Sequence, residues 1–131
     1  VDEDWHNLSH HGRDENKIEK LAIIELEEMR LFAKFMSRLD EVKEGGHTLL
    51  DQTAIFSGSN LGNASSHDNS NLPVIAAGGH FKHGQHLTFD SADKKTSPLA
   101  NLFVSHLQHL GLETETFASG TSTLNGLNQL S

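Results

Sequence analysis

The sequence predicts an α/β domain, a small sheet covered by helices. Three observations carry that reading. Apolar residues recur at helical spacing over residues 15–43. Two short β-prone runs, 53–56 (TAIF) and 73–77 (PVIAA), each lead into glycine. A second helical pattern follows Pro98. Helix, strand, loop, strand and helix in that order favour a sheet with helices packed on it.

The elements follow in chain order. Residues 1–14 are polar, with Asp2, Glu3 and Asp4 around Trp5. In the first helix Ile18, Leu21, Ala22, Met29, Phe32, Met36 and Leu39 form a stripe that Ile24, Leu31, Phe35 and Val42 widen. Asp14 is placed as its N-cap and Gly45-Gly46 as its stop. Glu25 lies within the stripe and reads as a rim carboxylate. The run TAIF reads as a buried strand. Residues 57–71 (SGSNLGNASSHDNSN) form a polar loop of a length that is usually functional or mobile. PVIAA is the second buried strand, ended by Gly78-Gly79, and HFKHGQHLTF suggests a hairpin or a twisted strand pair. A Ser-Asp-Lys linker (91–97) leads to Pro98 at a helix N1 position. The last helix presents Leu99, Leu102, Phe103, His106, Leu107 and Leu110 on one face and stops at Gly111. From Glu113 onward the tail is polar and turn-rich.

At 131 residues, with 35% hydrophobic and 21% charged side chains, the chain reads as one domain spanning 1–131. Its formal charge of −8 argues against non-specific nucleic-acid binding, which needs a basic surface. Without cysteine there are neither disulfides nor thiolate metal ligands. No apolar run approaches membrane-spanning length, and no signal peptide is visible. The chain starts at Val1, which suggests a processed protein or a piece of a longer one.

Ten histidines are many for this length, and they are spread along the chain. His6 and His10, in HNLSHHG, are four apart, so both rings share one face of a helical turn. That spacing suits two ligands to Zn²⁺ or a similar ion, with a further ligand required from elsewhere. His11 would point about 100° further round such a turn, toward a ligand or the first two rings. The alternative is an exposed, flexible histidine-rich terminus. His67 stands alone in the polar loop, where a histidine is more often solvated than ligating. His80 and His86 would share one face of a strand and His83 the other, which fits polar surface histidines unless a turn at Gly84 reunites them. His106 and His109 lie on the last helix, with His106 read as partly buried and hydrogen-bonded. Ser57-Gly58-Ser59 makes no G-x-S-x-G elbow, no Walker loop or dinucleotide fingerprint is present, and G-S-N-L-G is too loose for a phosphate cradle.

The segment W-H-N-L-S-H-H-G carries H-x-x-S-H-H and resembles the signature of the HXXSHH family of uncharacterised bacterial proteins. The segments N-L-P-V-I-A-A-G-G-H-F-K-H-G-Q-H-L and S-P-L-A-N-L-F-V-S-H-L-Q-H-L-G-L-E-T are similar to the same family, so the resemblance runs through most of the chain. Members are typically longer, which makes this chain resemble a carboxy-terminal portion. More distantly, they resemble the alkaline phosphatase and sulfatase superfamily, metallohydrolases with a parallel sheet between helices. That implies a fold like the carboxy-terminal part of an alkaline-phosphatase-like domain.

The same resemblance implies a ligand set. The superfamily holds its first zinc by D-x-x-x-H and by a later histidine six residues before a V-P-like strand start. Here His6 takes the aspartate position, His10 the histidine position, and His67 precedes Pro73 by six. The second metal pair would fall on Asn60 and Leu61, and leucine cannot ligate, so that site looks degenerate. His11 and Asp68 would orient substrate or the ligands themselves. The nucleophile of such enzymes lies well upstream, and nothing in this chain matches it.

The expectation is therefore a portion of a phosphate- or sulfate-ester hydrolase-like protein that binds one Zn²⁺ or similar ion and is inactive alone. The competing expectation is a non-catalytic extracellular binding or structural module on a degenerate scaffold. By family resemblance the protein would be exported. An open sheet edge in such a portion would invite pairing with another chain.

Overall fold

The computed structural model describes residues 1–79, 81–89 and 98–127. In chain order the elements are α1 (Trp5–Ser9), α2 (Glu15–Glu41), β1 (Lys43–Glu44), β2 (His47–Thr48), α3 (Leu49–Gln52), β3 (Ile55–Gly58), β4 (Val74–Ala77) and α4 (Ala100–His109). A turn of 3-10 helix occupies Ala64–Ser66 between β3 and β4. The mixed α/β class holds, as helices with two small antiparallel sheets, β1–β2 and β3–β4. Among the described residues no helix is long and apolar enough to cross a membrane.

α2 begins as its sequence requires. The Asp14 carboxylate accepts from the Asn16 and Lys17 amides and so satisfies two of the four amides that a helix start leaves open. At the other end Val42 is already extended, and Gly45 and Gly46 adopt φ of 57° and 90°. Two successive positive φ values are what a two-residue hairpin demands, so the pair closes β1–β2 rather than merely ending the helix. Thr48 and Asp51 then form a capping box that starts α3, a short helix the apolar periodicity had not suggested.

β3 pairs with β4 antiparallel, from Ile55 opposite Ala77 to Gly58 opposite Val74. The 59–73 segment returns the chain directly, whereas a parallel pair needs a crossover, usually a helix. These strands therefore do not form the parallel sheet that the superfamily resemblance implies. Among the described residues no third strand joins them.

The core sits between this sheet and α4. Phe81, Leu102 and Leu127 form its buried centre, with Ala54, Val74, Ala76, Leu99 and Leu124 packed against them. Phe56 meets Phe103 of α4 edge-on, with ring centroids 5.3 Å apart. α2 does not share in this cover, contrary to expectation. It packs against α1 near its start and against β2 and α3 near its end, and none of its residues is buried. Ile23 and Leu31, midway along it, are 60% and 57% exposed. The tight hairpin explains this, because it folds β2 and α3 back onto the end of the helix and leaves the middle of the stripe open.

α4 is rotated from the face its leucines suggested. Asn101, Val104 and Ser105 are buried with Leu102, while Leu110 is 69% exposed. The cause is the tail, which returns along the helix and satisfies the buried polar groups. Asn101 donates to Ser122 Oγ at 3.1 Å and accepts from the Thr121 amide, and Ser105 Oγ accepts from the Leu124 amide at 2.9 Å. Pro98 stands before the cap residue Leu99 rather than at N1. Residues 81–89 make no hairpin with one another. They are irregular, and they are fixed by the buried Phe81 and by Lys82, whose amide donates to Leu127 O at 2.8 Å. His80 and the 91–97 linker lie outside the described residues.

His106 is half-buried, but among the described residues its Nε2 has no hydrogen-bond partner, against the expectation of a satisfied ring. Its ring lies 4.9 Å from that of Phe81. Burial, and then repulsion from His109, holds its pKa below the ordinary imidazole value.

Two outcomes follow from this packing. Asn101→Ala is expected to lower unfolding free energy by about 1–3 kcal/mol in urea titrations, because it empties the space of a buried side chain and removes its two hydrogen bonds to the tail; an unchanged midpoint would mean the tail is held by other means. The depressed pKa of His106 makes the unfolded chain bind more protons than the fold below pH 6.5. Stability should therefore be independent of this group above that pH and fall as pH drops beneath it. His106→Leu should flatten the slope in melting temperatures measured across the window.

Candidate functional site

The singled-out residues come from two places, the end of α1 and the loop between β3 and β4. Asp4 caps α1, its carboxylate accepting the Asn7 amide at 2.9 Å, and Leu8 and Ser9 are buried behind it. The buried side of this short helix fixes the opposite side. His6 lies on α1 and His10 caps its end, and their rings are 4.8 Å apart, as four-residue spacing requires. Lys17 holds α1 to α2 by donating to the Asn7 side chain at 3.1 Å, and Lys20 pairs with Glu3.

The loop is folded on itself. Gly62 and Asn63 both donate to the Asp68 carbonyl, and Asp68 donates back to the Asn63 carbonyl at 2.9 Å. A Cβ at position 62 would run into the Ser70 carbonyl, so the close approach requires glycine there. Asn63 caps the 3-10 turn, and His67 follows it in the left-handed conformation, with φ of 54°. That conformation is uncommon for a residue other than glycine, and it turns the imidazole out of the loop.

The two segments meet. His67 Nε2 and His10 Nε2 are 3.3 Å apart, and the ring centroids are separated by 4.9 Å. Nearby, the Gly12 amide donates to Ser65 Oγ at 3.0 Å and ties the same two segments a second time. The structure thus gathers His6, His10 and His67, with His10 between the other two. Desolvation first, then repulsion from His6, His67 and Lys17, holds the pKa of His10 below the ordinary imidazole value. A neutral ring keeps the lone pair that either a hydrogen bond or a metal ion needs.

The fit to a metal ion can be examined on these distances. Two imidazole nitrogens bound to one tetrahedral Zn²⁺ at about 2.0–2.1 Å lie about 3.3–3.4 Å apart. The His10–His67 separation equals that edge. It is also the distance of a long N–H···N hydrogen bond, which is what the pair makes in the absence of an ion. Among the described residues no group of three or more His, Asp or Glu side chains is already disposed around one point as a metal site. Ligation by all three rings therefore requires at least one to turn about its side-chain torsions, and His6 and His67 are both exposed.

The remaining candidates fall in different places. His11 accepts the Arg13 amide at Nδ1, at 3.1 Å, so in the neutral ring Nε2 carries the hydrogen. Asp68 accepts the Ser70 amide and hydroxyl at 2.9 and 2.7 Å, a loop-shaping role. Asn60 is exposed, and the Leu61 amide donates to Ser59 Oγ at 3.1 Å, so position 61 has a structural contact and no ligand atom in its side chain. His83 and His86 are exposed on the irregular 81–89 segment.

Sequence reasoning missed a cleft beside the histidines. It has a volume of about 230 Å³ and is lined by His11, Gly12, Arg13, Asn63, Ser65 and Ser66. The signal available was Gly12-Arg13, placed between the histidine motif and the helix cap. A larger hollow of about 560 Å³ lies at the end of α4, lined by Gln108 and residues 111–115, and includes none of the singled-out histidines.

The chain matches no family model, no curated protein and no solved structure. The arrangement of the site itself therefore carries the functional argument. Ser65→Ala is expected to remove the bond that ties the two segments beside the rings. Hydrogen exchange at the Gly12 amide should accelerate several-fold, with exchange within α2 unchanged; equal rates in both proteins would mean that the bond does not hold the segments together.

Proposed function

We propose that this chain is the metal-binding portion of a phosphate- or sulfate-ester hydrolase-like protein, as its resemblance to the HXXSHH family suggests. His6, His10 and His67 would hold one Zn²⁺-like ion. The observation that carries the reading is the convergence of His67 on His10, across 57 residues of sequence, at the nitrogen separation a tetrahedral ion requires. An ion so held supplies Lewis-acid polarisation of a phosphoryl or sulfuryl oxygen. The chain's own contribution is to lower the pKa of His10, to fix His67 through the folded loop, and to present His11 with Nε2–H as a donor beside the site.

A second reading is favoured by one observation. Asn60 and Leu61 offer no Asp-His pair for a second ion, and Leu61 is engaged through its backbone. A protein that has lost the second metal pair would serve as a non-catalytic extracellular binding or structural module on a degenerate form of the same scaffold.

Elemental analysis of untagged, dialysed protein decides whether an ion is held. One equivalent of zinc is expected, lost in His67→Ala and retained in His83→Ala, whose histidine is exposed elsewhere. At an excess of about 100 times Kd, bound zinc should stabilise the fold by about 2.7 kcal/mol. No stoichiometric metal, or uptake indifferent to His67→Ala, would overturn the proposal.

A further inference from the structure

The cleft beside the histidines has a composition that points to its ligand. Its six lining residues include one full cation, Arg13, one imidazole, His11, two hydroxyls, Ser65 and Ser66, and the amide of Asn63, with no carboxylate among them. Against the chain's net charge of −8, this concave surface carries a positive side chain and no negative one. The acidic neighbour in sequence, Asp14, is not among the lining residues, and its carboxylate is engaged by the Asn16 and Lys17 amides. Among the described residues the Arg13 guanidinium has neither an ion pair nor a hydrogen bond.

The backbone sets Arg13 at this position deliberately. Gly12 and Arg13 take φ of 55° and 72°, and the Asp14 amide closes the turn on His11 O at 2.8 Å. Glycine takes such a conformation freely and arginine does not. The turn is pinned from both sides, by Arg13 N to His11 Nδ1 and by Gly12 N to Ser65 Oγ. The first of these bonds leaves Nε2–H of His11 as a donor, so both of the cleft's nitrogen-bearing side chains from this turn offer hydrogens.

We infer that this cleft binds the oxyanion end of the ligand, a phosphate or sulfate group, with Arg13 as its principal anchor. The guanidinium matches the planar, bidentate geometry that such oxygens accept, and the hydroxyls and His11 supply further donors. A volume of about 230 Å³ is below the about 300–1,000 Å³ of sites for whole drug-sized ligands. It suits one oxyanion group and its point of attachment. His11 follows His10 and Ser66 precedes His67 in the chain, so the same two segments that carry these two histidines also line the cleft. As the substrate class of that site the inference rests on the metal reading, but the cleft's own donors do not depend on an ion.

Calorimetric titration of inorganic phosphate and sulfate into zinc-loaded protein, cleared of free metal, tests this. The unmodified protein should bind one phosphate, and Arg13→Gln should weaken it about tenfold or more, since a bond to a charged group is lost. Arg13→Lys should fall between them, with zinc content unchanged in both variants. Equal affinity in Arg13→Gln, or no phosphate binding by protein holding one zinc, would overturn the inference and leave the metal reading intact. If the protein holds no zinc, the metal reading fails and the same titration of metal-free protein decides. Binding that depends on Arg13 would then support the cleft, and absent or Arg13-independent binding would overturn it.

Discussion

The contact between His10 and His67 joins the amino-terminal segment to the loop between the strands of the sheet, and much of the site depends on it. α1 is a helix of five residues, too short to persist alone in water. It keeps its place through Leu8, which is fully buried, through Lys17 and Lys20 of α2, and through the bonds its following turn makes with the loop. The loop in turn has a polar composition that no hydrophobic core would order. What orders it is its own backbone ladder between Gly62, Asn63 and Asp68, and its attachment to the His10–Arg13 turn. Each segment lends the other the fixed geometry that a ligand site needs.

The sheet, α4 and the tail frame this pair. The sheet's two strands fix the ends of the loop in register, and α4 packs on them through Phe103 and Leu102. The tail then closes over α4, using Asn101 and Ser105 as internal hydrogen-bonding posts. Such buried polar groups contribute little net energy when satisfied and cost much when stranded, so they specify where the tail runs more than how tightly the core holds. His106, against Phe81, is an exception, a half-buried ring whose Nε2 has no partner among the described residues.

Much of this was legible in the sequence, for reasons particular to each element. Asp14 ahead of a 27-residue amphipathic pattern gave the start of α2, because capping is local chemistry. The two apolar runs gave β3 and β4 to within a residue or two, because glycines bound them. The pairing direction was misjudged although the loop between the strands holds no crossover helix, because the superfamily resemblance implied a parallel sheet. Nor was the burial on α4, where Asn101 and Ser105 are inside because of a tail whose polar composition suggested solvent. At the site, four-residue spacing placed His6 beside His10. His67 came from the family resemblance, as no local pattern could have linked residues 57 positions apart. Arg13 was missed because its importance lies in a left-handed turn and in the loop across from it, neither of which has a one-dimensional signature.

The proposed function requires three particular imidazoles to act together on one ion. Imidazole nitrogen resonances followed by ¹⁵N NMR during a zinc titration read this directly, because they report each ring and each nitrogen separately. The expected result is that His6, His10 and His67 shift together to metal-bound values and are complete at one equivalent, with His47, His83 and His86 unmoved. Shifts spread over the exposed histidines, or a His67 ring that stays unchanged while zinc binds, would contradict it.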